Sequence, residues 1–290
     1  MKQAQIFGLV CLLFIINIST TAAQQAGLGE QIEANEFYNQ ATVLHERGEY
    51  NEAIEFYKKA ISSKPDYAEA YNSMGNAYAE LNRRSEAVEA LRQAIRLKPQ
   101  YPEAFNNLGV IYTDTNLYQE AAEAFNQAIK LRPGYALAYN NVGKAYIHLN
   151  LYEEATAAFL NAVKLQPNDA GMRHNLGFAY LGLGHYKEAV GAFETAINLK
   201  ADFIAAHNHL GIAFLKLGLY DKAAKAFQRA ILLDSNCEEA HLNLGMVYLT
   251  LNHHREAREQ YSVLKKLNSK AAERLFEAIQ NQSPVTTEEY

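Results

Sequence analysis

Two adjacent columns of asparagine run through this chain at a fixed step. Asn107, Asn141, Asn175 and Asn243 are separated by 34 residues or its multiple, and Asn39 shares their place. One position earlier stand Asn72, Asn106, Asn140 and Asn208. A carboxamide carries one acceptor and two donors. That matches the alternating C=O and N–H groups of an extended peptide backbone, with little demand on the peptide's sequence. The same residue also serves as a tolerated polar group on a solvated helix face, or bonds to the backbone of a neighbouring segment. Copies of one ancestral segment would share it with no selection for binding.

Other side chains with chemical potential point to structure. Among nine histidines, His207, His209 and His241 fall close together in the frame, with His174 one period earlier. His207 and His209 are two apart and point in different directions on a helix. No Cys or carboxylate joins them at ligand spacing, and His207 and His241 occupy the column of Phe105 and Tyr139, a packing position. No metal site is assigned. Glu52, Glu86, Glu120, Glu154, Glu188 and Glu256 fall where helices begin, and a carboxylate there favours the helix dipole. There is no nucleophile elbow, phosphate-cradling glycine loop or His-Glu-x-x-His pattern. The sequence therefore assigns no catalytic residue and no cofactor, and the chain reads as a non-enzyme.

The elements that position these columns follow from seven alanines, Ala53, Ala87, Ala121, Ala155, Ala189, Ala223 and Ala257, spaced 34 residues apart without a slip. Equal spacing means copies of one supersecondary unit. Small residues lie upstream of each: Ala41, then Gly75, Gly109, Gly143, Gly177, Gly211 and Gly245. Four residues after each alanine comes a large apolar one, Tyr57, Leu91, Phe125, Phe159, Phe193, Phe227 and Tyr261. Another alanine follows three later in six copies, and Leu264 breaks that column in the seventh. Steps of three and four put these residues on one helical face.

Gly48, Asn82, Asn116, Asn150, Gly184, Gly218 and Asn252 interrupt every copy at one place. Gly and Asn tolerate the left-handed conformation after a helix end, so each copy holds two helices. Pro65, Pro99, Pro133 and Pro167 close the second helix in four copies; Ala201, Ser235 and Ser269 replace them, predicting softer stops. A glycine inside a helix costs roughly 1 kcal/mol relative to alanine. Six of them imply close backbone approach to the alanine of the second helix.

The segment AEAYNSMGNAYAELNRRSEAVEALRQAIRLKP, residues 68–99, resembles a tetratricopeptide repeat. Seven copies frame as 34–67, 68–101, 102–135, 136–169, 170–203, 204–237 and 238–271. The first departs most, as a terminal cap does. The resemblance implies an all-α fold, a right-handed superhelical α-solenoid of antiparallel helix pairs, with 34–282 as one elongated domain. It also implies that the first helices line a concave groove. There Asn72, Asn106, Asn107, Asn140, Asn141, Asn175, Asn208 and Asn243, with Lys144, would form a peptide-binding ladder. The family's carboxylate-clamp variant needs groove lysines and arginines. Here Asn140 stands where such a lysine would be, with only Lys144 and Lys216 nearby, so that mode is not expected.

The ends differ in kind. Met1-Lys2 leads into an apolar run from Ile6 to Ile18 and then Ser19-Thr20-Thr21-Ala22-Ala23, which reads as a signal peptide over 1–23. The run is short for a membrane span, so an uncleaved anchor is the minor reading. Residues 24–33 read as a spacer, 272–282 as a capping helix with Leu275, Phe276 and Ile279 on one side, and 283–290 as a disordered tail. Loss of Lys2, the one charge in 1–23, moves the net charge from −5 to −6, and a mildly acidic chain does not offset phosphate repulsion. Nucleic-acid partners and stable membrane insertion after cleavage are not expected. Cys237 would remain alone, read as a buried structural thiol. The function expected is an exported, periplasmic or extracellular, scaffold or adaptor that binds a protein or peptide in the groove. The alternative is a structural subunit of a cell-envelope assembly, such as pilus or outer-membrane biogenesis machinery, using its convex face and end caps.

Overall fold

The computed structural model describes residues 28–281. The expected signal peptide, residues 1–23, and the tail, 283–290, lie outside the described residues. Helices occupy nearly all of the described chain, with no strand among them. Helix α1 covers 28–46. It is followed by α2 (Tyr50–Ser63), α3 (Ala68–Glu80), α4 (Arg84–Leu97), α5 (Pro102–Asp114) and α6 (Tyr118–Leu131). Then come α7 (Ala136–His148), α8 (Tyr152–Leu165), α9 (Ala170–Gly182), α10 (Tyr186–Leu199), α11 (Ile204–Lys216), α12 (Tyr220–Leu233), α13 (Glu238–Thr250), α14 (His254–Lys266) and α15 (Ala271–Asn281).

These helices form two compact units divided after Arg132. Each has cores of its own. In the first, Ala53, Tyr57, Ala87 and Leu91 lie in one cluster with Met74, Tyr78 and Ile111. In the second, Phe159, Phe193 and Phe227 anchor successive clusters.

Every expected turn residue takes the left-handed conformation: Gly48, Asn82, Asn116, Asn150, Gly184, Gly218 and Asn252 have φ between 57° and 78°. Asn268, not anticipated, does the same at φ 53° and ends α14. The stops after the second helices do not depend on proline. Lys200 and Asp234, which end α10 and α12 without one, adopt the extended backbone that Lys64 adopts before Pro65. The turn is imposed by the next hairpin packing back, so proline reinforces it without creating it. The expected spacer is helical from residue 28, because residues 30–46 contain neither Gly nor Pro to stop α1.

At Gly75 the expected close approach is present, since a Cβ there would lie 3.3 Å from the Ala87 carbonyl oxygen, but the nearest neighbour of each seat is a large side chain. A Cβ on Gly109 would lie 2.6 Å from Phe125 Cε1, and on Gly143, Gly177 and Gly211 it would meet Phe159, Phe193 and Phe227 at 2.5–2.7 Å. The glycine clears a seat for the ring four residues beyond the alanine, and the ring is what fills the gap between the helices. Those four phenylalanines are at most 1% exposed. In the last copy the seat of Gly245 is taken by Leu275 of the capping helix, at 2.5 Å, while Leu264 is wholly buried in the former alanine column. Leu275 and Ala278 of α15 are buried and Ile279 packs against the same cluster, but Phe276 stays 42% exposed, its ring tilted against Tyr261 with centroids 5.4 Å apart.

The same substitution should therefore have opposite signs at two helical glycines. Gly109→Ala forces the Phe125 ring to move, and overpacking of this kind costs about 1–3 kcal/mol, more than the roughly 1 kcal/mol that alanine gains in helix propensity. Gly191→Ala, within α10 with open space around its Cβ position, should stabilise by up to about 1 kcal/mol. Urea denaturation of both variants checks this; two shifts of equal sign would contradict the seat.

Candidate functional site

The asparagine columns lie on the first helix of each pair, and they are mostly inside. Asn72, Asn106, Asn140, Asn208 and Asn243 are at most 8% exposed. Asn107, Asn141 and Asn175 are half-buried, and Lys144 is exposed. The two columns hydrogen-bond to each other across neighbouring first helices. Asn107 Nδ2 donates to Asn72 Oδ1 at 3.0 Å, linking α5 to α3. Asn175 Nδ2 donates to Asn140 Oδ1 at 2.9 Å, linking α9 to α7. The bond spans 35 residues, one period plus one, so it ties the earlier column of one repeat to the later column of the next. In the first unit Tyr38 OH and Ser73 Oγ make the same link at 3.2 Å. Asn208 and Asn243 stand at the same spacing without making it: Asn208 Oδ1 and both amide atoms of Asn243 have no partner among the described residues.

The 174–209 step of this ladder is a histidine pair. His174 Nε2 and His209 Nδ1 are 2.8 Å apart, joining α9 to α11. His174 Nδ1 lies 3.4 Å from Asn175 Oδ1. Both rings pack in aromatic surroundings: His174 on Phe193 and Phe203, and His209 on Phe193 with Phe178 edge-on at 5.3 Å. Burial pushes both imidazoles down to about 4, and for His174 the neighbouring His209 adds to the shift. Both are neutral at pH 7.

His207 and His241, grouped with them in the sequence, sit apart. Each is buried and bonds a backbone carbonyl six residues earlier, Ala201 and Ser235 respectively, at 3.0 Å. His241 Nδ1 also meets Gln260 Oε1 at 2.7 Å. Among the described residues no three of His, Cys, Asp and Glu converge as a metal set. Cys237 is half-buried at the N-cap of α13, more open than the buried thiol expected, and burial raises its pKa. Among the described residues no helix is long and apolar enough to cross a membrane.

Beside the histidine pair the second unit opens a cavity of about 310 Å³. Its walls include Tyr152, Phe178, Leu181, Tyr186, His209 and Ile212. Tyr152 lies across α9 at Gly182, where a Cβ would come within 2.2 Å of the ring. Phe178 is 37% exposed. The sequence reading missed this site, although one signal for it existed. Val110, Lys144, Phe178, Ile212 and Met246 share a frame position and change type from copy to copy while their neighbours repeat.

The histidine pair makes stability depend on acid. Imidazoles titrate near 6.5 when unfolded and at about 4 here, so between those values the unfolded chain binds more protons. Stability is therefore complete above about pH 6.5 and declines as pH falls towards 4. A His174→Asn/His209→Asn variant, which restores the residue types of the two columns, should lose less stability between pH 7.5 and 5 than the parent. Denaturant midpoints at the two pH values measure it, and parallel losses would refute the assignment.

Comparison with known proteins agrees with this architecture. The family described as Cilia and flagella-associated protein 70 C-terminal domain matches residues 19–209, and tetratricopeptide-repeat models match 204–237 and 238–270. No curated protein matches in sequence. Among solved structures, the C-terminal part of a TPR repeat-containing protein from Cytophaga hutchinsonii is 17% identical with a TM-score of 0.67, over 82% of this chain and 98% of that one. MamA (41-end) from Desulfovibrio magneticus RS-1 is 25% identical with a TM-score of 0.56, over 59% and 96%. YrrB, described as a TPR protein with an unusual peptide-binding site, is 21% identical with a TM-score of 0.58, over 63% and 95%. With seven hairpins in one register and family models across most of its length, the chain belongs to the tetratricopeptide-repeat family.

Proposed function

We propose that this protein is an exported interaction scaffold that holds an extended segment of a partner protein along the first-helix face. The repeat fold suits a protein-interaction role. The observation that carries the finer reading is the division of labour on that face. Buried Asn72 and Asn140 brace neighbouring hairpins, while in α7 and α9 the residues around the ladder, Leu137 (46% exposed), Lys144 and Phe178, point outward with differing chemistry. Asn107 and Asn175 each spend one amide proton on the brace, and a half-buried carboxamide keeps a second N–H for a peptide carbonyl. A face already ordered by its own hydrogen bonds loses little freedom on binding, which favours affinity.

Export is supported by the pattern of residues 1–23, with a basic start, an apolar run and a small-residue end. The mass of the N-terminal peptide of the protein recovered from cells measures it. A mature chain beginning at Gln24 is expected, and an intact Met1 on cytosolic protein would overturn it.

Partner capture tests the face. Leu137→Asp with Lys144→Glu on α7 should abolish capture of co-purifying proteins from the exported compartment, with the helical circular dichroism unchanged. Leu160→Asp with Leu232→Asp, exposed positions on second helices, should leave capture intact. The reverse result would overturn the first-helix reading and assign the contacts to the other face, as an assembly subunit would use it.

A further inference from the structure

The side chains from α7 to α11 form a hydrogen-bond relay with a fixed direction. Asn175 spends Nδ2 on Asn140 Oδ1, so the atom it turns to His174 Nδ1 is its oxygen. An oxygen only accepts, so His174 Nδ1 carries the ring proton. A neutral imidazole has one N–H, and His174 Nε2 is therefore a lone pair. It accepts from His209 Nδ1–H at 2.8 Å. One nitrogen remains. His209 Nε2 has no partner among the described residues, is not among the buried orphaned atoms, and must be a bare acceptor.

His209 lines the cavity of about 310 Å³, whose other walls are the rings of Tyr152, Phe178 and Tyr186, the aliphatic side chains of Leu181 and Ile212, and the charged side chains of Lys216 and Glu239. Concave, mostly apolar sites with a few placed polar groups are the usual form of a specific pocket. We propose that this cavity is an anchor pocket for an indole, the side chain of a tryptophan on the bound segment, with the indole N–H donating to His209 Nε2. Indole combines a large aromatic body with a donor that cannot accept, and the pocket offers aromatic walls and an acceptor that cannot donate. The low basicity of His209 keeps that lone pair free through neutral pH. The proposal rests on the first-helix reading above and gives it a partner chemistry.

The chain contains no tryptophan, so the emission of an added indole reports its own environment. N-acetyl-tryptophanamide titrated with the full-length protein should show saturable, blue-shifted emission. Its 1-methyl analogue, which lacks the N–H, should bind about fivefold more weakly, the equilibrium worth of one neutral hydrogen bond. His209→Phe keeps an aromatic ring in place and should abolish the difference between the two probes, with the helical circular dichroism unchanged. Nitrogen-15 NMR of labelled histidine should find His209 Nε2 unprotonated. Equal binding of the two probes, no binding of either, or a protonated Nε2 would overturn the pocket. The α7 variant Leu137→Asp with Lys144→Glu separates the two ideas: if it still abolishes partner capture while the probes fail to discriminate, the face stands and the indole pocket falls.

Discussion

A phenylalanine ring seated on a glycine sets the spacing within four of the seven helix pairs. The ring needs a helix surface with no Cβ, and the glycine accepts its cost in helix propensity because the ring excludes water from the whole seam. Phe125 on Gly109, Phe159 on Gly143, Phe193 on Gly177 and Phe227 on Gly211 repeat this contact within 0.2 Å. Fixing that distance fixes where the rest of the first helix lies, including the face that carries the polar ladder. The last copy shows that the seat matters more than the residue that fills it: Gly245 keeps its gap, and Leu275 of α15 closes it in place of a ring from α14.

The ladder does for neighbouring hairpins what the seat does within one. Buried amides cost free energy unless their donors and acceptors are matched, and pairing Asn107 with Asn72 or Asn175 with Asn140 matches them at one relative position of adjacent helices. Apolar contacts alone tolerate sliding; a side-chain hydrogen bond across the seam does not. At these two steps the brace is thus a register device, and it gives asparagine a role on a face where packing alone would accept leucine. The 174–209 step keeps the link with a different residue pair, and the bulk of two imidazoles is bound up with the aromatic cavity beside them.

Most of the fold was legible because period and turn chemistry are local. An asparagine or glycine at φ above zero must fall between helices whatever surrounds it, so Asn82 or Gly184 placed its boundary directly. What was not legible depended on partners across the seam. The glycine was read chiefly against the alanine, its nearest small companion in the pattern, when the side chain four residues further on comes closer still. The asparagines were read as two columns of 34, whereas the bond joins one column to the other at 35. Aligning repeats groups equivalent positions and hides contacts between inequivalent ones. His174 and His209 suffered most, because they belong to different columns and become a pair only when the helices are laid side by side.

That geometry bears on how a repeat protein acquires a specific site at all. A uniform ladder presents one chemistry in every copy, so it can hold a backbone but cannot fix which segment is held or in which register. Discrimination requires one copy to differ while the seam still closes. The histidine pair satisfies both conditions: it preserves a hydrogen bond of 2.8 Å between adjacent first helices, and it sets an imidazole in the cavity wall with Phe178 and Tyr152. The scaffold's regularity is what makes such a local departure informative, since a bound chain aligned by the repeated positions would meet the odd one at only one place.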